Sequence, residues 1–336
     1  MRLRLRQKLS LRLERRRLQL RALWKARELS VVSDRTADMP PGPVLFATVR
    51  NEAPRLEFFL DYYRKLGVVH FMFVDNGSAD ETQALLRHEP DVSLWETDQS
   101  YNGSRFGVDW INALLARYGV GRWVLVVDAD EFLVYPHHET RRLPALTRWL
   151  ESRGQDGLAT ILLDMYGDAP IADTRCPPGS DPIVAAPWFD AVNYVQQRHN
   201  RYHNLWIQGG PRMRVFYADR PRFAPALNKI PLVRWRSGYV YLTSTHNLLP
   251  RRLNRVYEVR GGSTTTGALL HAKFLDVLPA KVIEELGRRE HYDNGSEYAA
   301  YAALGAKTQL WTRESTRFEG WRQLCDLGLM AEGGWF

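Results

Sequence analysis

The period of the apolar positions changes repeatedly from residue 44 onward, and the changes predict strands alternating with helices. Val44–Val49 is a short run rich in strand formers. Pro54 then stands where a first helical turn tolerates it, and Phe58, Phe59, Tyr62, Tyr63 and Leu66 recur at helical spacing. His70–Val74 reads as a second strand, closed by the turn and N-cap signal Asp75-Asn-Gly-Ser-Ala-Asp80. A helix over Glu81–His88 and a strand over Val92–Glu96 follow. Gly107–Tyr118 reads as an amphipathic helix stopped by Gly119–Gly121. Arg122–Val127 is almost continuously apolar, as in the middle of a parallel sheet covered on both faces. This alternation implies right-handed βαβ units and a doubly wound sheet.

Beyond Pro136 the pattern loosens. Leu143–Arg153 looks helical and Leu158–Leu163 looks like a strand, whereas residues 165–240 are irregular and rich in Trp, Arg, Pro and Gly. Lys281–Arg289 and Tyr298–Leu304 read as later helices. No internal repeat or low-complexity tract is present. Residues 137–336 are therefore expected to elaborate the domain that residues 44–136 begin.

Composition narrows the class. The 336 residues are 45% apolar and 25% charged, the balance of a soluble globular protein. No run reaches the roughly 18 consecutive apolar residues of a membrane-spanning helix. Cys176 and Cys325, without a CxxC, argue against a disulfide framework or a thiolate zinc site, so a reducing, cytoplasmic location is expected.

Charge changes the picture more. Residues 1–27 hold nine arginines and two lysines against one acid, Glu14, so that +10 of the net +8 lies here and −2 in the rest. This arm (1–30) interleaves Leu with Arg, without Gly or Pro and without a clean helical stripe of leucines. A polar, proline-bearing segment over 31–43 is expected to link it to the body. An anionic membrane surface, at the inner face of the membrane, suits such an arm best. Nucleic acid suits it less well, and a solvated helix or disordered tail is the plain alternative.

The sharpest feature is Asp128-Ala-Asp130-Glu131, directly after the buried strand. In open α/β sheets ligands bind outside the carboxyl ends of the strands, and three carboxylates emerge there. Asp128 and Asp130, two apart on an extended turn, leave on one face and can approach one hard cation. Mg²⁺ or Mn²⁺ there would bridge a diphosphate. The plain alternative is a cluster that caps a turn.

With this turn, Thr48-Val-Arg-Asn-Glu52, Val74-Asp75-Asn-Gly-Ser-Ala-Asp80-Glu-Thr82 and Asn102-Gly-Ser-Arg105-Phe-Gly, the sequence resembles the GT-A glycosyltransferases, nearest the family-2-like group. Gly209-Gly-Pro-Arg212-Met-Arg214, Asn228-Lys229-Ile-Pro231 and Leu270-His271-Ala-Lys273-Phe274 look like that group's downstream motifs. The resemblance covers about residues 44–320. It implies a Rossmann-like, mostly parallel α/β sheet with a C-terminal elaboration, a nucleotide-sugar donor and a glycan or glycolipid acceptor. It further implies Asn51, Glu52 and Asp75 near the nucleotide, and Arg105, Arg212, Arg214 and Lys229 as cations beside the leaving group. A third metal ligand is implied downstream, with His271 first and His246 second.

An inverting reaction also needs a carboxylate base. The acidic pair that better-known members place after the Gly-Gly is absent here, leaving Asp164, Asp168 and Glu131 as candidates. Two other classes remain in view. A sugar nucleotidyltransferase would carry a Gly-rich basic loop after the first strand, where Arg50-Asn-Glu-Ala-Pro54 stands. A non-enzymatic adaptor for membrane or nucleic acid would explain the arm but not the carboxylates.

Overall fold

The computed structural model describes residues 5–257, 264–288, 290 and 292–335. Helix α1 (Leu5–Lys25) and edge strand β1 (Ser30–Ser33) precede β2 (Val44–Val49), α2 (Ala53–Leu66), β3 (His70–Asp75), α3 (Thr82–His88), β4 (Val92–Glu96), α4 (Val108–Leu114) and β5 (Trp123–Val126). Every residue of β3 and β5 is buried, which is why these strands read as continuous apolar runs. α2 opens on Pro54 and closes at Gly67, whose φ of 96° is the left-handed cap that disfavours any Cβ. Its Phe59 is fully buried against Phe73 and Phe132, a burial that stabilises by roughly 1.5–3 kcal/mol.

The second half adds β6 (Glu131–Val134), α5 (Leu143–Ser152), β7 (Gly157–Tyr166), a short α6 (Pro182–Ala185) and β8 (Trp188–Phe189). Then come the hairpin β9 (Val195–Arg198) and β10 (Leu205–Gln208), strand β11 (Asn228–Arg234) and the hairpin β12 (Val240–Thr243) and β13 (Asn247–Leu249). The chain continues through β14 (Thr266–Phe274), α7 (Leu278–Arg288), α8 (Tyr292–Leu304), β15 (Thr316–Arg317) and α9 (Trp321–Asp326).

The main sheet runs β1-β4-β3-β2-β5-β11-β7-β14-β6. Strand β2 is parallel to both neighbours, with Val44 opposite His70 on one side and Val124 on the other. β11 lies antiparallel between β5 and β7, and β6 lies antiparallel to β14. Strands β2, β3, β4, β5, β7 and β14 therefore share one direction. The fold is α/β and Rossmann-like, with a mixed, mostly parallel sheet.

Several elements differ from the sequence reading. All seven residues of α4 are buried, and exposure begins only in the helical turn Leu115–Gly119 that continues it, at Ala116 and Arg117. The cover comes from α1, the arm expected to stand apart. Leu11 and Leu18 pack with Val240 and Leu249, while Ala22 and Lys25 are also buried. Arg21 Nε donates to Asp109 Oδ2 at 2.7 Å, and Asp109 is fully buried. The segment over 31–43 is not a free linker throughout, since β1 pairs antiparallel with β4. Strand β11 falls in the stretch read as irregular. Its Pro231 sits where the register with β7 shifts, between Lys229 and Leu232, the position a sheet tolerates for proline.

Candidate functional site

Chain order β2-β3-β4-β5 becomes sheet order β4-β3-β2-β5, so the winding reverses between β2 and β5. Such a switch point opens a crevice at the carboxyl ends of the two strands. The loop Arg50-Asn51-Glu52 leaves β2 there, and Asp128 to Glu131 turns from β5 into β6 there. The turn is held from below by Tyr63, whose hydroxyl donates to Glu131 O at 2.7 Å and accepts from Leu133 N at 3.1 Å.

Within the turn the three carboxylates have different surroundings. Asp128 keeps its side chain 56% exposed and meets Lys229 Nζ at 3.1 Å. Desolvation opposes its ionisation, but Lys229 outweighs that and holds its pKa below the usual value. Glu131 is buried, with one oxygen on Lys229 and the other accepting from Asp128 N at 3.2 Å. Burial pushes its carboxyl up to about 7, against the pull of Lys229. Asp130 lies 3.4 Å from His271 Nε2 and 3.9 Å from Arg55 Nη1. Against desolvation, His271 first and Arg55 after it hold Asp130 well below the usual carboxylate range.

His271 reaches this place because β14 sits between β6 and β7. It is opposite Glu131 in one pairing and opposite Asp164 in the other. Its Nδ1 is 2.7 Å from Asp164 Oδ1. The other Asp164 oxygen accepts from Arg212 Nε at 2.7 Å, and Arg212 Nη1 reaches Glu297 at 3.4 Å. Glu297 also accepts from Lys273 Nζ at 2.9 Å and from Tyr301. A chain of alternating charge, buried at its centre, thus runs from Asp130 through His271, Asp164 and Arg212 to Glu297. Burial opposes protonation of His271, and Asp130 and Asp164 outweigh it, raising its pKa.

Other expected residues make the following contacts. Arg105 is tied to Asp109 and to Leu242 O. Arg214 pairs with Asp190 rather than joining the cluster. Both Asp75 oxygens accept from Ser78 in its own turn, so the turn-capping alternative describes the contacts it makes. His246 donates Nδ1–H to Asn228 O, and burial, with Lys229 nearby, pushes its pKa down to about 4. Asp164, expected as a base, has one oxygen on His271 and the other on Arg212. Glu131 likewise has one oxygen on Lys229 and the other on Asp128 N. Asp168 is exposed on the loop after β7.

Four residues were not singled out from the sequence. Arg55 enters from the first turn of α2 and pairs with Glu52 at 3.1 Å. Lys281, on α7, also binds Glu52. Lys273 lies two residues beyond His271 on β14, a period-2 signal that places it on the same face of the strand. Glu297 had no local signal. α7 also bridges the strand-end loops: Glu284 accepts from Arg50 Nε at 2.8 Å and Asn51 Nδ2 at 3.0 Å, and Arg288 donates to Asn76 Oδ1 at 3.2 Å.

The donor set suits a hard divalent ion. Asp130 and His271 offer an oxygen and a nitrogen side by side, and Asp164 fixes the ring from behind, as carboxylates do for metal-binding histidines. No three His, Cys, Asp or Glu side chains form a ready cage among the described residues. Asp128 turns instead to Lys229. A carboxylate with an imidazole would suit Mn²⁺ better than Mg²⁺, which prefers oxygen donors.

Neither a protein-family model nor a curated protein matches the chain. Among solved structures, a mannosyltransferase from Pyrobaculum calidifontis in complex with GDP-Man and Mn²⁺ is similar over 46% of this chain and 46% of its own. The identity is 21% and the TM-score 0.29. A 4-diphosphocytidyl-2C-methyl-D-erythritol synthase is similar over 42% of this chain and 66% of its own, at 19% identity and TM-score 0.25. Both alignments leave more than half of this chain unmatched.

Proposed function

We propose that the chain is a metal-dependent glycosyltransferase, moving a sugar from a nucleoside-diphosphate sugar to a hydroxyl of a glycan or glycolipid. The observation that carries this is the pairing of Asp130 with a carboxylate-held His271 at the switch point of the sheet. Asp130 and His271 would hold Mn²⁺ or Mg²⁺, with Asp128 on its exposed side. When bound, the ion supplies charge neutralisation for the departing diphosphate.

The chain's own groups do the rest. Lys229 sets the carboxylate turn by holding Asp128 and Glu131, and Arg55 stands beside Asp130. Arg50, Asn51 and Glu52 line the end of β2, where a nucleotide would lie, and α7 closes over them. Arg212 keeps Nη2 as a buried donor with no hydrogen-bond partner among the described residues. For an inverting reaction Asp168 is the base candidate, being the one of the three with an exposed side chain.

Thermal-shift titration against nucleotide sugars with Mn²⁺ identifies the donor, since a ligand that binds only the native state raises its stability. Asp130→Ala should then abolish both the Mn²⁺-dependent shift and transfer while the fold persists. Full transfer by that variant with the matched donor overturns the metal assignment. Release of pyrophosphate from a nucleoside triphosphate and a sugar phosphate would instead make the protein a nucleotidyltransferase.

A further inference from the structure

Helix α1 is apolar on two opposite sides. At 3.6 residues per turn, Leu11, Leu18, Ala22 and Lys25 fall on one side, the buried one. Leu5, Leu9, Leu13, Leu20, Leu23 and Trp24 fall on the other, and each is at least half exposed, from 50% for Leu9 to 74% for Leu5. Lys8 and Arg12 border this outer stripe on one flank, and Arg6 and Arg17 border it on the other. Arg16 stands within it. All five cations are exposed, and none forms an ion pair with another described residue.

The single acid of residues 1–27 is turned away from that stripe. Glu14 accepts from Arg201 Nη2 at 2.7 Å and from the Tyr202 hydroxyl at 2.8 Å, both on the hairpin between β9 and β10. That contact brings the exposed Arg201 alongside the helix. The outer face is thus a leucine ridge edged with cations and cleared of carboxylates. It is also rigid, because the opposite face is packed into the protein.

We propose that the outer face of α1 is a docking surface for an anionic lipid bilayer. The ridge would enter the boundary between headgroups and acyl chains, and the flanking arginine stems would run along it with their guanidiniums at the phosphates. The charge is complementary, since +10 lies in residues 1–27 and −2 in the rest of the chain. A nucleic acid would use the cations and have no partner for six exposed apolar side chains. No helix among the described residues is long and apolar enough to cross a membrane, so the contact is peripheral.

Sedimentation of the full chain with vesicles tests this, using phosphatidylcholine alone and an equal mixture with phosphatidylglycerol. The protein should pellet with the anionic vesicles at least tenfold more strongly. Leu9→Gln with Leu20→Gln should remove about nine-tenths of that binding without moving the melting temperature. Arg12→Gln with Arg17→Gln should weaken it and blunt its salt dependence. Fluorescence quenching by bromine-labelled lipid, present in the parent and reduced in Trp24→Phe, should follow the same pattern. Equal recovery on both vesicle types overturns the proposal. So does binding that survives the leucine changes, the behaviour of a purely electrostatic partner such as nucleic acid. A parent dimer that these changes convert to a monomer, with vesicle binding unaltered, also overturns it.

Discussion

His271 presents Nδ1 to Asp164 Oδ1 at 2.7 Å, and this one contact decides which way the imidazole faces the carboxylate turn. Asp164 is a fully buried side chain that meets the ring directly. Asp164→Asn should therefore lower Mn²⁺ affinity by about 10–100-fold, the usual cost of removing such a partner. Titration of free Mn²⁺ by electron paramagnetic resonance reads this directly. Unchanged affinity would remove Asp164 from any part in the metal site.

Arg212 binds the other oxygen of Asp164, with side-chain exposures of 5% and 0%. Breaking one side of a buried pair leaves an uncompensated charge. Arg212→Met should destabilise the protein by about 3–5 kcal/mol, read as a lower urea midpoint.

Two leucines of α1 should behave in opposite ways. Leu18 is 9% exposed and packs on the body, so Leu18→Ala should cost about 2 kcal/mol. Leu20 is 67% exposed, and Leu20→Ala should stay within about 0.5 kcal/mol. Equal effects would mean that α1 is not docked as described.

The α7 contacts lie across the loops that would receive a nucleotide. Glu284→Gln removes the charge that holds Arg50 and Asn51. Nucleotide association and release should both speed up several-fold in stopped-flow measurements, with the melting temperature nearly unchanged. Unaltered rates would show that α7 does not gate the crevice.

Stability should also fall in acid in a traceable way. Desolvation opposes ionisation of Asp91, and Arg64, 2.6 Å away, outweighs it, so its pKa lies below 3.8. A depressed carboxylate contributes stability that is complete above the unfolded pKa and is lost as pH falls through the folded one. Arg64→Met should flatten that acid limb below about pH 4, in unfolding curves followed against pH.

What the sequence disclosed follows from how each segment is buried. β2, β3 and β5 were legible because all or nearly all of their residues face the interior, leaving unbroken apolar runs. The carboxylate turn was legible because it ends such a run. β11 was hidden because Asn228 and Lys229 are buried polar residues and Pro231 breaks the strand pattern. The docking of α1 was hidden for a different reason. Leucines on opposite sides of a helix cancel in any search for a single apolar face. The contact of Arg105 with Asp109 was not legible, because a cation next to a glycine-rich loop looks the same whether it meets a phosphate or a carboxylate.

The alternation of sign from Asp130 to Glu297 has an evolutionary corollary. Each member is neutralised by its neighbours, so a change at one position alters the worth of the residue at the next. Asp164 and Arg212 should be replaceable together far more cheaply than singly. Divergent descendants of this fold should therefore keep the set whole, or exchange it in matched pairs.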